Sequence, residues 1–371
     1  MFIKSLKLAN FRNYSEQQIE FDSKMNIFRG QNAQGKTNVL EAIYLLAVGK
    51  SHRTSRDVDL IQWNNDKCSI TAEISSRNSQ QKIALQLGSS GKRATVNGIT
   101  QSKMTEFVGH FQVVLFAPED LQLVKGGPAG RRRFIDMELG QIRVNYLYHL
   151  GQYQRVLQQR NTMLKQERCD ENLLDVLNLQ LVEHGAQVIR RRLEFIRDLG
   201  EFARGIYDSI AAGREQLQLA YQCSIPRLAL NDEPDAKEIQ SAFMTGLIEK
   251  QRTDRFQGYT TIGPHRDDLV LQLNDESVQS FASQGQQRSI ALALRLAEID
   301  FMYRELKDYP VLLLDDVLSE LDDNRQTNLV LAMKEKVQTI ITTTSLFGLQ
   351  DKLTQHARLM NVHSGIIQLE G

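Results

Sequence analysis

The stretch Gly30 to Thr37, GQNAQGKT, constrains this chain more than any other. Its spacing, GxxxxGK[ST], is that of a phosphate loop, which works only where a strand delivers it and a helix leaves from it. Gly30 and Gly35 let the backbone turn its N–H groups inward, and Gln31, Asn32, Ala33 and Gln34 fill the cradle between them. Lys36 brings charge to the terminal phosphates of a bound ATP, and Thr37 brings a hydroxyl to its Mg²⁺. The flanks fit. Met25 to Phe28 reads as a strand, and Val39, Leu40, Ile43, Leu46 and Ala47 form a helical stripe that stops at Gly49. An α/β nucleotide-binding domain follows.

Such a site needs a second half, a buried parallel strand ending in carboxylates. VLLLDDVLSELD supplies it, with Val311 to Leu314 as the strand and Asp315 and Asp316 at its carboxyl end. Asp315 would hold Mg²⁺ and Asp316 would polarise the attacking water, although two adjacent aspartates could instead cap the next helix. A third element is FASQGQQRS, Phe281 to Ser289, where Ser283, Gln284, Gly285 and Gln286 open a helix running from Gln286 to Met302. A turn at a helix start offers N–H groups to an anion, but Ser283 alone is equally an N-cap.

At 371 residues the chain has room for two domains, or for one α/β domain with an insertion. Phe2 to Leu8 and Ile19 to Phe21 read as strands, residues 68 to 99 as a meander, and Val113 to Phe116 as a buried strand stopped by Pro118. From about Arg131 to Lys250 the apolar spacing turns helical. The expected division is an ATPase lobe over 1–128 and 256–371, with a mainly helical lobe over 129–255. Lys plus Arg and Asp plus Glu both number 45, which excludes a basic coat and leaves any polyanion site as a local patch. The three cysteines, Cys68, Cys169 and Cys223, form no CxxC pair. With no signal-peptide core at the start and no long apolar run, the expected location is the cytoplasm.

The three motifs in this order resemble the ABC-type ATPases, in which the signature turn of one subunit closes on the nucleotide of another. On that resemblance Ser283 to Gln286 is the trans-acting signature, and Ser319 and Asp322 of SELD lie in the D-loop. LANFRNY resembles the opening of the SMC-class ATPases and implies that Arg12 reaches the phosphates. GKSHRTSRD, VLFAPEDLQLVKGGPAGRRRFID and GPHRDDL narrow the likeness to the RecF family of bacterial recombination mediators, with an ABC/SMC-type head and an inserted helical lobe. The resemblance implies an ATP-dependent homodimer and a DNA-stimulated ATPase. It also implies binding to gapped, single-stranded and duplex DNA, and action with RecR and RecO to place RecA and support SOS induction. Two departures stand out. The second carboxylate, usually Glu in ABC ATPases, is Asp316, one methylene shorter, which predicts slow turnover because a water misplaced by about 1 Å costs roughly a hundredfold in rate. Thr344 stands where a switch histidine is expected, and LFAPED shows no clear Q-loop glutamine, leaving the γ-phosphate sensor unassigned.

Between residues 121 and 166 there are eight basic and two acidic residues. Lys125, Arg131, Arg132 and Arg133 cluster there, with Arg155, Arg160 and Lys165 beyond, while Lys50, His52, Arg53 and Arg56 form a second group. These are candidates for sequence-independent phosphate contacts, or else for ion pairs, and Arg53 could equally approach nucleotide phosphate. His265, Arg266, Asp267 and Asp268 read either as a chemical cluster or as a turn held by ion pairs, and Trp63 is expected to pack. A transporter ATPase subunit is the nearest rival, opposed by FRNY and by SQGQ in place of LSGGQ; a GTPase would need an absent NKxD.

Overall fold

The computed structural model describes every residue except 78, 90, 168–169, 212, 214, 231–233, 318–336, 346–356 and 371. Along the chain the elements are β1 (Phe2–Phe11), β2 (Tyr14–Glu20), β3 (Met25–Arg29), α1 (Lys36–Val48), β4 (Lys67–Ser75), β5 (Gln80–Gly88), β6 (Gly91–Val96), β7 (Ile99–Thr100), α2 (Met104–Phe107) and β8 (Val113–Phe116). There follow α3 (Leu121–Lys125), α4 (Pro128–Ile142), α5 (Val144–Leu164), α6 (Glu171–Ala211), β9 (Leu217–Gln222), α7 (Ala236–Gln257), β10 (Asp268–Leu273), β11 (Glu276–Ser277), α8 (Val278–Phe281) and α9 (Gln284–Leu306). The last elements are β12 (Val311–Asp315), β13 (Thr339–Thr343), β14 (Arg358–His363) and β15 (Ile366–Leu369). They form two compact units, one of Met1–Asp120 with Ala291–Gly371, the other of Leu121–Ile290.

The first unit holds two six-stranded sheets. In one, β2-β1-β4-β5-β6-β7, neighbours run antiparallel, and the alternation read over residues 68 to 99 places Cys68, Ile70, Ala72 and Ile74 on the buried side of β4. The other has the order β15-β14-β3-β13-β12-β8, and all but the edge strand β15 run parallel. A parallel sheet is covered on both faces, so β8, β12 and β13 are buried at every position. α1 touches β8, β12 and β13 of this sheet and β5 of the other. That explains why eleven of its thirteen residues are buried, far more than the stripe read from the sequence. The strand order matters most for the site: β13 lies between β3 and β12, which sets the phosphate loop and the carboxylate pair one strand apart at the same edge.

The second unit is built around α6, whose 41 residues span about 60 Å. Leu174, Leu177, Leu181, Val188 and Phe195 give it one buried face, against which α5, α7 and β9 pack. Arg160 of α5 is wholly buried, paired with Asp254 of α7 at 2.8 Å and bonded to Asn178 and Thr260, so it is removed from the exposed basic group in which it was read. Residues 256–290, expected with the ATPase lobe, group instead with this unit, because β10 pairs along its whole length with β9. Among the described residues no helix is long and apolar enough to cross a membrane.

Candidate functional site

Backbone conformation builds the cradle. β3 ends at Arg29, and the loop turns through Ala33 at φ 64° and Gly35 at φ 117° before α1 begins at Lys36. At Gly35 a side chain would be strained by the positive φ and would meet Asn13 and the Tyr14 hydroxyl. At Gly30 the reason is proximity, since a Cβ would lie 2.3 Å from the Val362 carbonyl oxygen. Neighbouring turns strap the loop. Asn13 Nδ2 and Gly365 N donate to the Gln34 carbonyl at 2.9 and 3.1 Å, and Ser364 N donates to Gln34 Oε1 at 2.7 Å. Gln31, Asn32 and Ala33 are exposed. Lys36 Nζ folds back on the carbonyls of Gly30 and Gln31, at 2.6 and 2.9 Å. Burial pushes its pKa down, against the pull of Asp316 and Asp315.

Thr37 Oγ1 and Thr342 Oγ1 both donate to Asp315 Oδ1, at 2.8 and 2.7 Å. The register Asp315↔Thr342 and the step from β13 to β3 produce this meeting between residues 278 positions apart. Asp316 follows at φ 54°, with its N–H on Thr342 Oγ1 at 3.1 Å. Burial raises its carboxyl pKa, Lys36 lowers it and Asp315 raises it further. A raised carboxylate suits a group that must accept a proton.

These groups line a cavity of about 740 Å³, whose wall also includes Arg12, Asn13, Asn38, Arg53, Asp59, Ile61, Gln62 and Trp63. Arg12 is engaged by a residue that sequence reasoning passed over. Its Nε and Nη2 donate to Glu41 Oε2 and Oε1 at 2.9 and 2.7 Å, and Nη1 donates to the Asp59 carbonyl at 2.7 Å. Glu41, on α1, is fully buried and also accepts from Ser51 Oγ at 2.6 Å and Arg53 Nη1 at 3.5 Å. Burial would raise its pKa, but the bonds from Arg12 and Ser51 and the charges of Arg12 and Arg53 outweigh that and hold it low. The available signal was an acid inside an otherwise apolar helical run. Trp63, expected to pack, is 91% exposed.

The remaining site candidates in the second unit divide. Ser283 and Gln284 are exposed at the start of α9; Ser283 N donates to Gln286 Oε1 at 2.7 Å, and Gln286 N to Ser283 Oγ at 3.3 Å, a reciprocal cap that fixes the turn, with Gly285 between. Lys125 and Arg133 are exposed, and Arg132 is half-buried with Nη1 on the Asp267 carbonyl at 2.8 Å. Arg131 is turned inward. It is 5% exposed and makes a two-pronged pair with Asp268 at 2.8 and 2.6 Å, so it is not presented to an external phosphate. In the first unit Arg56 is exposed beside Asp59, whereas Arg53 lines the cavity. GPHRDD is a turn held by internal bonds. Asp267 accepts from the Tyr221 hydroxyl and from Ser224, and His265 sits between Tyr153 Oη at 2.6 Å and the Thr260 carbonyl at 3.0 Å. No group of three or more metal-ligating side chains gathers among the described residues. Ser319 and Asp322 lie outside those residues.

Residues 2–368 match the family described as RecF/RecN/SMC N terminal domain. The DNA replication and repair protein RecF of Bacillus cytotoxicus is 47% identical over 372 residues, covering 100% of this chain and 99% of the relative. That of Bacillus cereus is 46% identical over 374 residues, with the same coverage. Two solved structures of the recombination mediator protein RecF in the RecFOR pathway, described as RecF-ATP and RecF-ATPrS, superpose with TM-scores of 0.92 and 0.91 at 32% and 33% identity, covering 100% of this chain and 98% of theirs. An Smc head bound to the C-winged helix domain of ScpA gives a TM-score of 0.57 at 16% identity, covering 100% and 97%, and shares the fold alone.

Proposed function

The chain belongs to the RecF family of ABC/SMC-type ATPases, and from that premise we propose that it is a slow, DNA-stimulated ATPase that ATP closes into a homodimer on DNA. The observation that carries this reading is the contact of Thr37 with Asp315 at the end of a strapped phosphate loop. It brings a hydroxyl and a carboxylate oxygen together beside Lys36, the oxygen-only donors that suit a hard Mg²⁺ ion. Thr37 and Asp315 would hold that ion, and its chemistry there is to neutralise phosphate charge. The loop N–H groups and Lys36 bind and orient the triphosphate, with Arg12 at the same wall. Asp316 would hold the attacking water and take its proton, a step slowed by its short side chain.

The turn Ser283 to Gln286, exposed at Ser283 and Gln284 and set at the N-terminus of a 23-residue helix, is the part each copy lends to its partner's nucleotide. ADP lacks the phosphate that both copies would share, so hydrolysis opens the pair and the protein acts as a switch. Lys125, Arg132, Arg133 and Arg56 supply phosphate contacts to gapped, single-stranded or duplex DNA without base readout, an affinity that falls with salt. On the same reading the protein works in the cytoplasm with RecR and RecO to place RecA and so supports SOS induction; what supports this is its likeness to the recombination mediator RecF of the RecFOR pathway.

Phosphate release measured with and without gapped DNA tests the catalytic part. The expected result is slow release that DNA stimulates, lost in Lys36→Met together with ATP binding and lost in Asp316→Asn with ATP binding kept. Unchanged release in both variants would remove the site from the reaction.

A further inference from the structure

The cavity wall combines two chemically unlike kinds of side chain. Lys36, Thr37, Asp315 and Asp316 are the polar and ionic groups of the phosphate site, and the same wall carries the apolar side chains of Ile61 and Trp63. Trp63 is the chain's sole tryptophan, 91% exposed, and it makes no ring contact among the described residues. An indole carries 150–250 Å² of surface that ordinarily finds a partner. Its backbone, by contrast, is pinned. Arg12 N donates to Leu60 O at 2.9 Å and Gln62 N to Asn10 O at 2.8 Å, and Phe11 bridges to Ile61. Beyond the ring, Asn65 N returns to Gln62 O at 3.2 Å and Asn65 Nδ2 to Trp63 O at 3.3 Å. These bonds fix the backbone from which a bare ring is presented at the wall of the phosphate cavity.

A nucleoside triphosphate joins the two matching chemistries in one molecule, charge on its phosphates and a flat heteroaromatic ring as its base. We propose that Trp63 is the platform on which the base of the bound nucleotide stacks, so that affinity divides between the phosphate loop and this ring. The proposal rests on the nucleotide reading above and adds a specificity-determining residue to it. Stacking is strongest for the larger ring systems, which makes the site favour purine over pyrimidine triphosphates. It does not touch the phosphates, so inorganic tripolyphosphate is indifferent to it.

Because Trp63 is the sole tryptophan, emission excited at the red edge of its absorption, where the ten tyrosines do not absorb, reports this ring alone. With Mg²⁺ present, ATP should change the emission saturably, whereas tripolyphosphate should bind without a comparable change. Equilibrium dialysis supplies affinities independently of the ring. Trp63→Ala should weaken ATP binding about tenfold or more and narrow the gap between ATP and CTP, while leaving tripolyphosphate affinity unchanged. Trp63→Phe should stay within roughly threefold of wild type. ATP held equally well by Trp63→Ala, or saturating ATP leaving the emission untouched, overturns the proposal while the phosphate-loop reading stands. Emission moved by single-stranded DNA and not by ATP overturns it in favour of a nucleic-acid base. ATP held no better by wild type than by Lys36→Met sinks both.

Discussion

At the scale of single residues, Glu41 shows how much of the site is made by a group that touches no substrate. It gathers Arg12, Ser51 and Arg53 around one buried carboxylate and thereby fixes two guanidinium groups in the cavity wall. Removing one partner of a buried ion pair costs about 3–5 kcal/mol, and the partial exposure of Arg12 and Arg53 places this cluster at the low end. Glu41→Gln should therefore lower unfolding stability by about 3 kcal/mol, read as an earlier urea midpoint at constant slope. A midpoint within error of wild type would show that the cluster is not an energetic unit. The loop glycines, Lys36, Thr37 and Asp315 were legible because phosphate chemistry fixes residue type and spacing together. Arg12 was legible only through family resemblance. Glu41 was hidden because one acid in an apolar run reads as a surface position, and Trp63 was misread because residue type says nothing about which way a loop side chain faces.

At the scale of elements, the second unit is tied by buried polar bonds as well as by the apolar face of α6. The neutral His265 ring bridges α5 and the loop before β10: Thr260 offers only a carbonyl to Nε2, so that nitrogen carries the proton and Nδ1 accepts from the Tyr153 hydroxyl. Burial lowers its pKa from 6.5 to about 4. The unfolded chain thus binds the extra proton first, and this contribution is full above pH 6.5 and lost as pH falls towards 4. Its limit is roughly 3 kcal/mol. Wild-type stability should consequently fall more steeply between pH 6.5 and 4 than that of His265→Asn, followed by urea unfolding at each pH. Parallel slopes would mean that the ring titrates alike in both states. Helical spacing made α5 and α6 legible, and alternation made β4 and β5 legible. The β9–β10 pairing was not, because it joins two short segments that flank α7 and neither declares its partner.

At the scale of the whole molecule, the phosphate loop and carboxylates were read as two halves of one site, but the strand order that unites them was not in the residues. β13 must insert between β3 and β12, a choice of sheet topology fixed by long-range packing. Nor does a net charge of zero locate a DNA surface; among the basic residues only side-chain direction separates exposed Lys125 and Arg133 from Arg131 and Arg160, which are buried in ion pairs. The central claim is that ATP joins two copies because each completes the other's pocket. Analytical ultracentrifugation with and without ATP and Mg²⁺ tests it most directly. Wild type should sediment as a monomer without nucleotide and as a dimer with ATP, Lys36→Met should stay monomeric, and Ser283→Arg should stay monomeric while still binding ATP. Wild type that remains a monomer at saturating ATP, and binds gapped DNA equally with and without it, would contradict the account.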